Sequence, residues 1–218
     1  MSKRIVIVSG GEIDAETAVA ILKQPESRYI IAVDKGMEFL YAQQIMPSYI
    51  VGDFDSVNAE VADYYRNETT VPIREFNPIK DASDTEIAIR MAITLGATEL
   101  IILGATGGRL DHLWANVQTL AVPHKAGVDA KIIDRQNRIS LISEKTVLQK
   151  DKAYGPYFSI FPLGQDVLGV TIKGAKYPLR NHTLTPRDSL CVSNEFEEEE
   201  VVIDFITGTV ILMETKDR

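Results

Sequence analysis

Short β-branched runs in the first half of the chain each stop at serine, glycine or aspartate, and this pattern constrains the fold most. Ile5 to Val8 runs into Ser9-Gly10-Gly11, Tyr29 to Val33 into Asp34, Tyr49 to Val51 into Gly52-Asp53, and Leu100 to Leu103 into Gly104. Helical patterns lie between them, at Ala15 to Leu22, Met37 to Gln44 and near Val57 to Tyr65. Further strands are expected near Thr70 to Ile73 and at Lys131 to Ile133, with a loop at Asn77-Pro78. Ser83 and Glu86 have capping-box spacing and open a helix with Ile87, Ala88, Met91, Ala92 and Leu95 on one face. Leu110, Leu113, Trp114, Val117 and Leu120 fit one face of the next helix, which predicts a core position for Trp114. Short apolar strands alternating with helices predict a mostly parallel α/β sheet covered on both faces.

The second half has another rhythm. From Ser140 onward, β-rich runs are broken by Gly, Pro and Asn, as in Tyr157 to Phe161, Val167 to Ile172 and Ser189 to Val192. Val201 to Ile206 and Thr209 to Met213 flank Thr207-Gly208 and read as a closing hairpin. The expectation is a mostly parallel α/β domain over residues 1–138 and an antiparallel β-sandwich over residues 139–218. The acidic run Glu197 to Glu200 allows a metal or partner site, but reads better as a solvated hairpin edge that resists edge-to-edge pairing.

Charge and cysteine content exclude several functions. The 218 residues carry a net charge of -8. That field repels nucleic acid, and no Lys or Arg run builds a basic patch against it. The single cysteine, Cys191, excludes an intrachain disulfide, argues against a Cys-based zinc site and fits a reducing cytoplasm. The apolar run after Met1-Ser2-Lys3-Arg4 is too short for a signal peptide or a membrane span, so no membrane partner is expected.

In an open parallel sheet, ligands bind beyond the carboxyl ends of the strands, where the unusual residues of this chain fall. Asp53 and Asp55 are two apart and can share a hard cation such as magnesium; alternatively, Asp55 or Ser56 caps the following helix. Asp81 and Asp84 bracket Ser83, where an acid complements a helix dipole, and Asp84 approaches the Asp53-Asp55 loop if the strands are ordered conventionally. In Gly107-Gly108-Arg109-Leu110-Asp111-His112, paired glycines let backbone N–H groups approach phosphate and Arg109 can clamp it bidentately. Asp111 then ligates metal, orients a hydroxyl nucleophile or merely caps a helix; His112 fits a capping role as well as a ligand contact. There is no Walker A pattern, no Gly-x-Gly-x-x-Gly after the first strand and no nucleophile elbow. An enzyme acting on a phosphate chain without these must rely on metal, acids and arginine for positioning and charge neutralisation. A magnesium phosphohydrolase and a non-catalytic nucleotide-sensing module are the rival readings.

Taken in chain order, these segments resemble the thiamine pyrophosphokinase family. Asp34-Lys35-Gly36 resembles the family's Asp-Gly-Gly, with Lys35 in place of the first glycine; Gly52-Asp53-Phe54-Asp55-Ser56 resembles its hallmark loop. Asp81-Ala82-Ser83-Asp84 resembles its Asp-x-Thr-Asp element and Gly107 to His112 its Gly-Gly-Arg-x-Asp-His motif; Gly174 to Leu179 and Ser193-Asn194 look like pieces of its second domain. The resemblance implies an α/β domain, a β-sandwich, a homodimer, and pyrophosphoryl transfer from ATP to the thiamine hydroxyl. It implies magnesium on Asp53, Asp55 and Asp84, and transfer chemistry at those acids with Arg109 and Asp111. Gly11, Asp34, Gly107, Gly108 and His112 would contact ATP, and Asp81, Ser193 and Asn194 the thiamine. Animal members stack thiamine on a tryptophan of the second domain, whereas the single tryptophan here, Trp114, belongs to the first.

Overall fold

The computed structural model describes residues 3–75 and 82–217, so Asn77, Pro78 and Asp81 lie outside the described residues. The chain forms two compact units, Met1–Arg135 and Gln136–Arg218.

The first unit contains β1 (Arg4–Val8), α1 (Ala15–Leu22), β2 (Tyr29–Val33), α2 (Gly36–Ala42), β3 (Tyr49–Gly52), α3 (Ala59–Asn67) and β4 (Ile73–Glu75). It continues through α4 (Asp84–Thr94), β5 (Glu99–Leu103), α5 (Leu110–Thr119), α6 (Ala121–Lys125) and β6 (Asp129–Ile133). The strands run β6-β5-β1-β2-β3-β4, every neighbour parallel. Ile5, Val6, Ile7 and Val8 are all buried, as a parallel strand covered on both faces requires. β1 sits between β2 and β5, so the direction of winding reverses beside it and opens a crevice at its carboxyl end.

Local chemistry explains where the helices begin. Ser83 accepts a hydrogen bond from the Glu86 N–H at 3.2 Å, as its capping-box spacing predicts. α3 is capped by Asn58, which accepts from the Glu60 N–H at 2.8 Å. The capping alternative for Asp55 and Ser56 therefore falls away. Trp114 is a correction: it is 51% exposed and Leu110 is 78% exposed, while Val117 is the buried residue of α5. The helical period marked an apolar stripe wider than this unit covers.

The second unit is an antiparallel sandwich of two sheets. It contains β7 (Asn137–Ile142), β8 (Thr146–Gln149), β9 (Tyr157–Pro162), β10 (Val167–Lys173), β11 (Leu179–Leu184), β12 (Asn194–Glu195), β13 (Glu200–Asp204) and β14 (Val210–Thr215). The sheet orders are β12-β9-β14-β7 and β11-β10-β13-β8. Phe158, Ile160 and Leu212 from one sheet and Val170, Ile172 and Ile203 from the other share one core.

Three expectations for this half are corrected. β13 and β14 form no hairpin, because each pairs within a different sheet. The chain crosses between the sheets at Ile206-Thr207, held to Leu168 by backbone hydrogen bonds of 2.8 and 3.1 Å. Ser189 to Val192 is a turn rather than a strand, although it buries Cys191 and gives its carbonyl to the Ile160 N–H at 3.1 Å. The acidic run is exposed as expected, but the strand it enters, β13, lies between β10 and β8, so it guards no sheet edge.

Candidate active site

A cleft of 840 Å³ opens within the first unit, lined by residues 9–11, 33–35, 82–85 and 104–109 with Asp53, Ser56, His112 and Asn116. It lies where the reversed winding leaves room. Backbone hydrogen bonds from Ser9 N–H to Leu103 O (2.8 Å), Gly11 N–H to Gly104 O (2.8 Å) and Glu12 N–H to Thr106 O (3.1 Å) join the loops after β1 and β5. The buried Ser9 and Thr85 hydroxyls share a 2.9 Å hydrogen bond, which brings the first turn of α4, and Asp84 with it, to the cleft.

The loop after β5 is built to meet an anion. Gly107 (φ 79°) and Gly108 (φ 58°) take left-handed conformations that other side chains resist. Thr106 Oγ1 donates to Asp134 Oδ2 at 2.7 Å and Asn116 Nδ2 to the Ala105 carbonyl at 2.9 Å, so both flanks of the loop are held. α5 starts at the end of this loop without a side-chain cap, and its N-terminal dipole favours negative charge.

Arg109 and Asp111 form a bidentate pair at the mouth, with Nη2–Oδ2 2.5 Å and Nε–Oδ1 3.1 Å. Both side chains are largely exposed, and a pair of this kind exchanges partners at little cost. Hydrogen bonding from Arg109 holds the Asp111 carboxyl below the usual carboxylate range, and the same contact raises Arg109.

The cleft brings together Gly11, Asp34, Asp53, Asp84, Gly107, Gly108, Arg109 and His112. Asp55 is exposed beside it; its N–H bonds to Asp53 Oδ1 at 3.3 Å. Asp111 is not a lining residue. Among the described residues, no three His, Cys, Asp or Glu side chains form a group that could hold a metal.

Ser193 and Asn194 lie in the second unit. Ser193 is exposed at φ 55°. Asn194 is buried and spends its amide on the Tyr177 backbone, accepting from its N–H at 3.0 Å and donating to its carbonyl at 2.8 Å. Sequence reasoning did not single out Ser9, Thr85, Thr106 or Asn116 as cleft residues. Ser9 stands at a strand end, which is a usable signal; the other three act through contacts distant in sequence.

Acids from three strand-end or helix-start loops, paired glycines and an arginine, gathered at the switch point of a parallel sheet, define a phosphate-handling α/β enzyme carrying a β-sandwich. Comparison with known proteins narrows this class. Residues 22–132 match the thiamin pyrophosphokinase catalytic domain and residues 145–210 the thiamin pyrophosphokinase vitamin B1 binding domain. Thiamine pyrophosphokinase of Bacillus subtilis is 32% identical over 189 residues, covering 86% of this chain and 87% of that one. Thiamine pyrophosphokinase 3 of Oryza sativa subsp. japonica is 26% identical over 76% of this chain and 64% of its own. The crystal structure of the B. subtilis protein matches with a TM-score of 0.88 at 30% identity, covering 99% of this chain and 100% of that one. The yeast thiamin pyrophosphokinase structure shares the fold, with a TM-score of 0.83 at 17% identity over 99% of this chain and 87% of that one. This chain belongs to the thiamin pyrophosphokinase family and is a transferase.

Proposed function

We propose that the chain transfers the pyrophosphoryl group of ATP to the hydroxyl of thiamine, releasing AMP and thiamine diphosphate. The observation that carries this reading is the convergence of Asp34, Asp53, Asp84 and the Gly107–Arg109 loop on one cleft in a member of this family. Magnesium takes hard oxygen donors and is ordinarily held by one or two carboxylates, with water and substrate phosphates completing its shell. Asp53 and Asp84 line the cleft from two separate loops and would supply that donor set, with Asp55 exposed next to Asp53 as a further carboxylate for the incoming cation. Bound there, the cation would screen the phosphate charge and make the β-phosphorus more electrophilic.

The chain's own residues do the rest by positioning and charge neutralisation. The Gly107 and Gly108 N–H groups, the N-terminus of α5 and Arg109 receive phosphate oxygens, while Gly11, Asp34 and His112 complete the ATP site. The thiamine oxygen forms a bond to the β-phosphorus as the α,β-bridging bond breaks, and that electron pair leaves on AMP. When Arg109 turns to phosphate it gives up Asp111, whose carboxylate is then free to take or orient the hydroxyl proton. The second unit takes the thiamine. Ser193 offers an exposed hydroxyl there and Asn194 fixes the segment, with Asp81 as a further substrate contact. On this reading the ATP- and magnesium-binding domain spans residues 1–138 and the thiamine-binding, dimer-forming domain residues 139–218.

The working unit on this reading is a cytoplasmic homodimer. Exposed Leu110 and Trp114 on α5 give it an apolar stripe to cover, and the reduced, buried Cys191 suits that compartment. No described helix is long and apolar enough to cross a membrane. Incubation with ATP, thiamine and magnesium should give AMP and thiamine diphosphate in equal amounts, and AMP should not form without thiamine. Thiamine-independent release of phosphate would favour a phosphohydrolase instead.

A further inference from the structure

Lys35 lines the cleft but belongs to neither the acidic loop nor the glycine-arginine loop. It occupies the N-cap of α2 with ordinary helical angles (φ -57°, ψ -14°) and makes no capping hydrogen bond through its side chain. A helix start favours Ser, Thr, Asn or Asp, and its dipole disfavours a cation, so a lysine here costs stability. No Asp or Glu is paired with its ammonium among the described residues. Its backbone is nonetheless held firmly. A Cβ on Gly36 would fall on the Val8 carbonyl, and one on Gly10 would lie 3.1 Å from the Lys35 Cβ.

Among the described residues, the lysine and arginine side chains lining the cleft are those of Lys35 and Arg109. Lys35 follows β2 and Arg109 follows β5, the two strands on either side of β1. A phosphate chain lying across the carboxyl end of β1 therefore meets a cation at each side. Lys35 is also on the side of Asp34 and Asp53, the acids that face the metal-bound phosphates if the proposed function holds. We infer that Lys35 is a substrate-contacting residue that neutralises the transferred β- and γ-phosphates, whereas the AMP portion does not depend on it. The inference rests on the proposed reading of the cleft. The flexible lysine stem carries a compact charge that can follow the pyrophosphoryl group as it moves to the acceptor.

Calorimetry with magnesium and α,β-methylene-ATP, and separately with AMP, tests this on the full chain. Lys35→Ala should weaken the ATP analogue about tenfold or more and leave AMP within about twofold, with Lys35→Arg restoring most of the loss. Removing a cation from the helix start should leave Tm unchanged or slightly raised. An unchanged analogue affinity, or equal weakening of analogue and AMP, would overturn the inference. Asp53→Asn, run in parallel with turnover, separates the two claims. If Asp53→Asn alone abolishes turnover and Lys35→Ala leaves analogue binding intact, the Lys35 assignment fails and the cleft reading stands. If Lys35→Ala shows the selective loss while Asp53→Asn keeps full turnover, the metal reading fails and Lys35 remains a phosphate ligand.

Discussion

Gly52 and Asp34 occupy adjoining strand ends so closely that a Cβ on Gly52 would fall on Asp34 Oδ1. The Asp34 N–H also donates to the Val51 carbonyl at 3.1 Å, so backbone and side chain of Asp34 are both set by β3. Gly52→Ala should push the Asp34 carboxylate out of place. The expected result is a loss of stability of about 1–3 kcal/mol, the usual cost of overpacking, with a drop in kcat/KM of more than tenfold. Denaturant melts and steady-state kinetics on the same preparation check both numbers.

Phe54, between the two acids of the loop, adopts φ 58°, an unusual conformation for a bulky residue. Its ring lies under the Arg66 guanidinium at 5.5 Å, and Arg66 is bonded to Glu75 at 2.8 and 3.1 Å. Arg66 in turn rises from α3, which the buried Tyr65 anchors. This chain of contacts makes Arg66 a positioning residue for Asp53 and Asp55. Arg66→Ala should raise the magnesium concentration for half-activation about tenfold at a stability cost of about 1 kcal/mol or less. A double-mutant cycle with Phe54→Leu should be non-additive in that constant.

Loss of the Arg109 guanidinium should separate its two roles. Arg109→Gln is expected to lower kcat about a hundredfold or more, the usual scale for removing a charge-stabilising donor. It should also let the Asp111 pKa rise back toward the ordinary carboxylate value of 3.8, since hydrogen bonding from Arg109 is the leading cause of its depression. A carboxyl depressed in the folded state stabilises above its unfolded pKa and loses that contribution as pH falls through the folded one. The parent therefore carries this contribution at neutral pH and the variant lacks it, and the two converge in stability as pH falls through the depressed Asp111 pKa. Carboxyl-detected NMR titration measures the shift directly.

Burial pushes the Cys191 thiol from 9.0 up to about 11. A raised thiol pKa contributes stability that is complete below 9.0 and is lost as pH rises through about 11. Native protein should accordingly resist thiol alkylation at neutral pH and react promptly once unfolded, with a matching fall in Tm across that alkaline window. Mass spectrometry after timed alkylation reads the first effect and thermal melts the second.

The parts of this protein legible in sequence are those governed by short-range chemistry. The β1 run, the Ser83 cap and the strand-end position of Asp53 all follow from local patterns. Trp114 misled because the helical period of α5 reports apolarity without saying what covers it. β13 and β14 misled for a related reason: two β-rich runs joined by a short Gly turn do not say whether the strands pair or face each other across a core. The contribution of Ser9 and Thr85 depends on a hydroxyl contact spanning 76 residues, which no local pattern carries. Lys35 looked like a departure from a glycine, yet its φ of -57° needs no glycine, so the position is free to bear a charge.

Following the β-phosphorus tests the central claim most directly. With ATP labelled at that position, thiamine and magnesium, all transferred label should appear in thiamine diphosphate and the AMP should be unlabelled. Label in ADP or free phosphate, or AMP formed at the same rate without thiamine, would contradict the account.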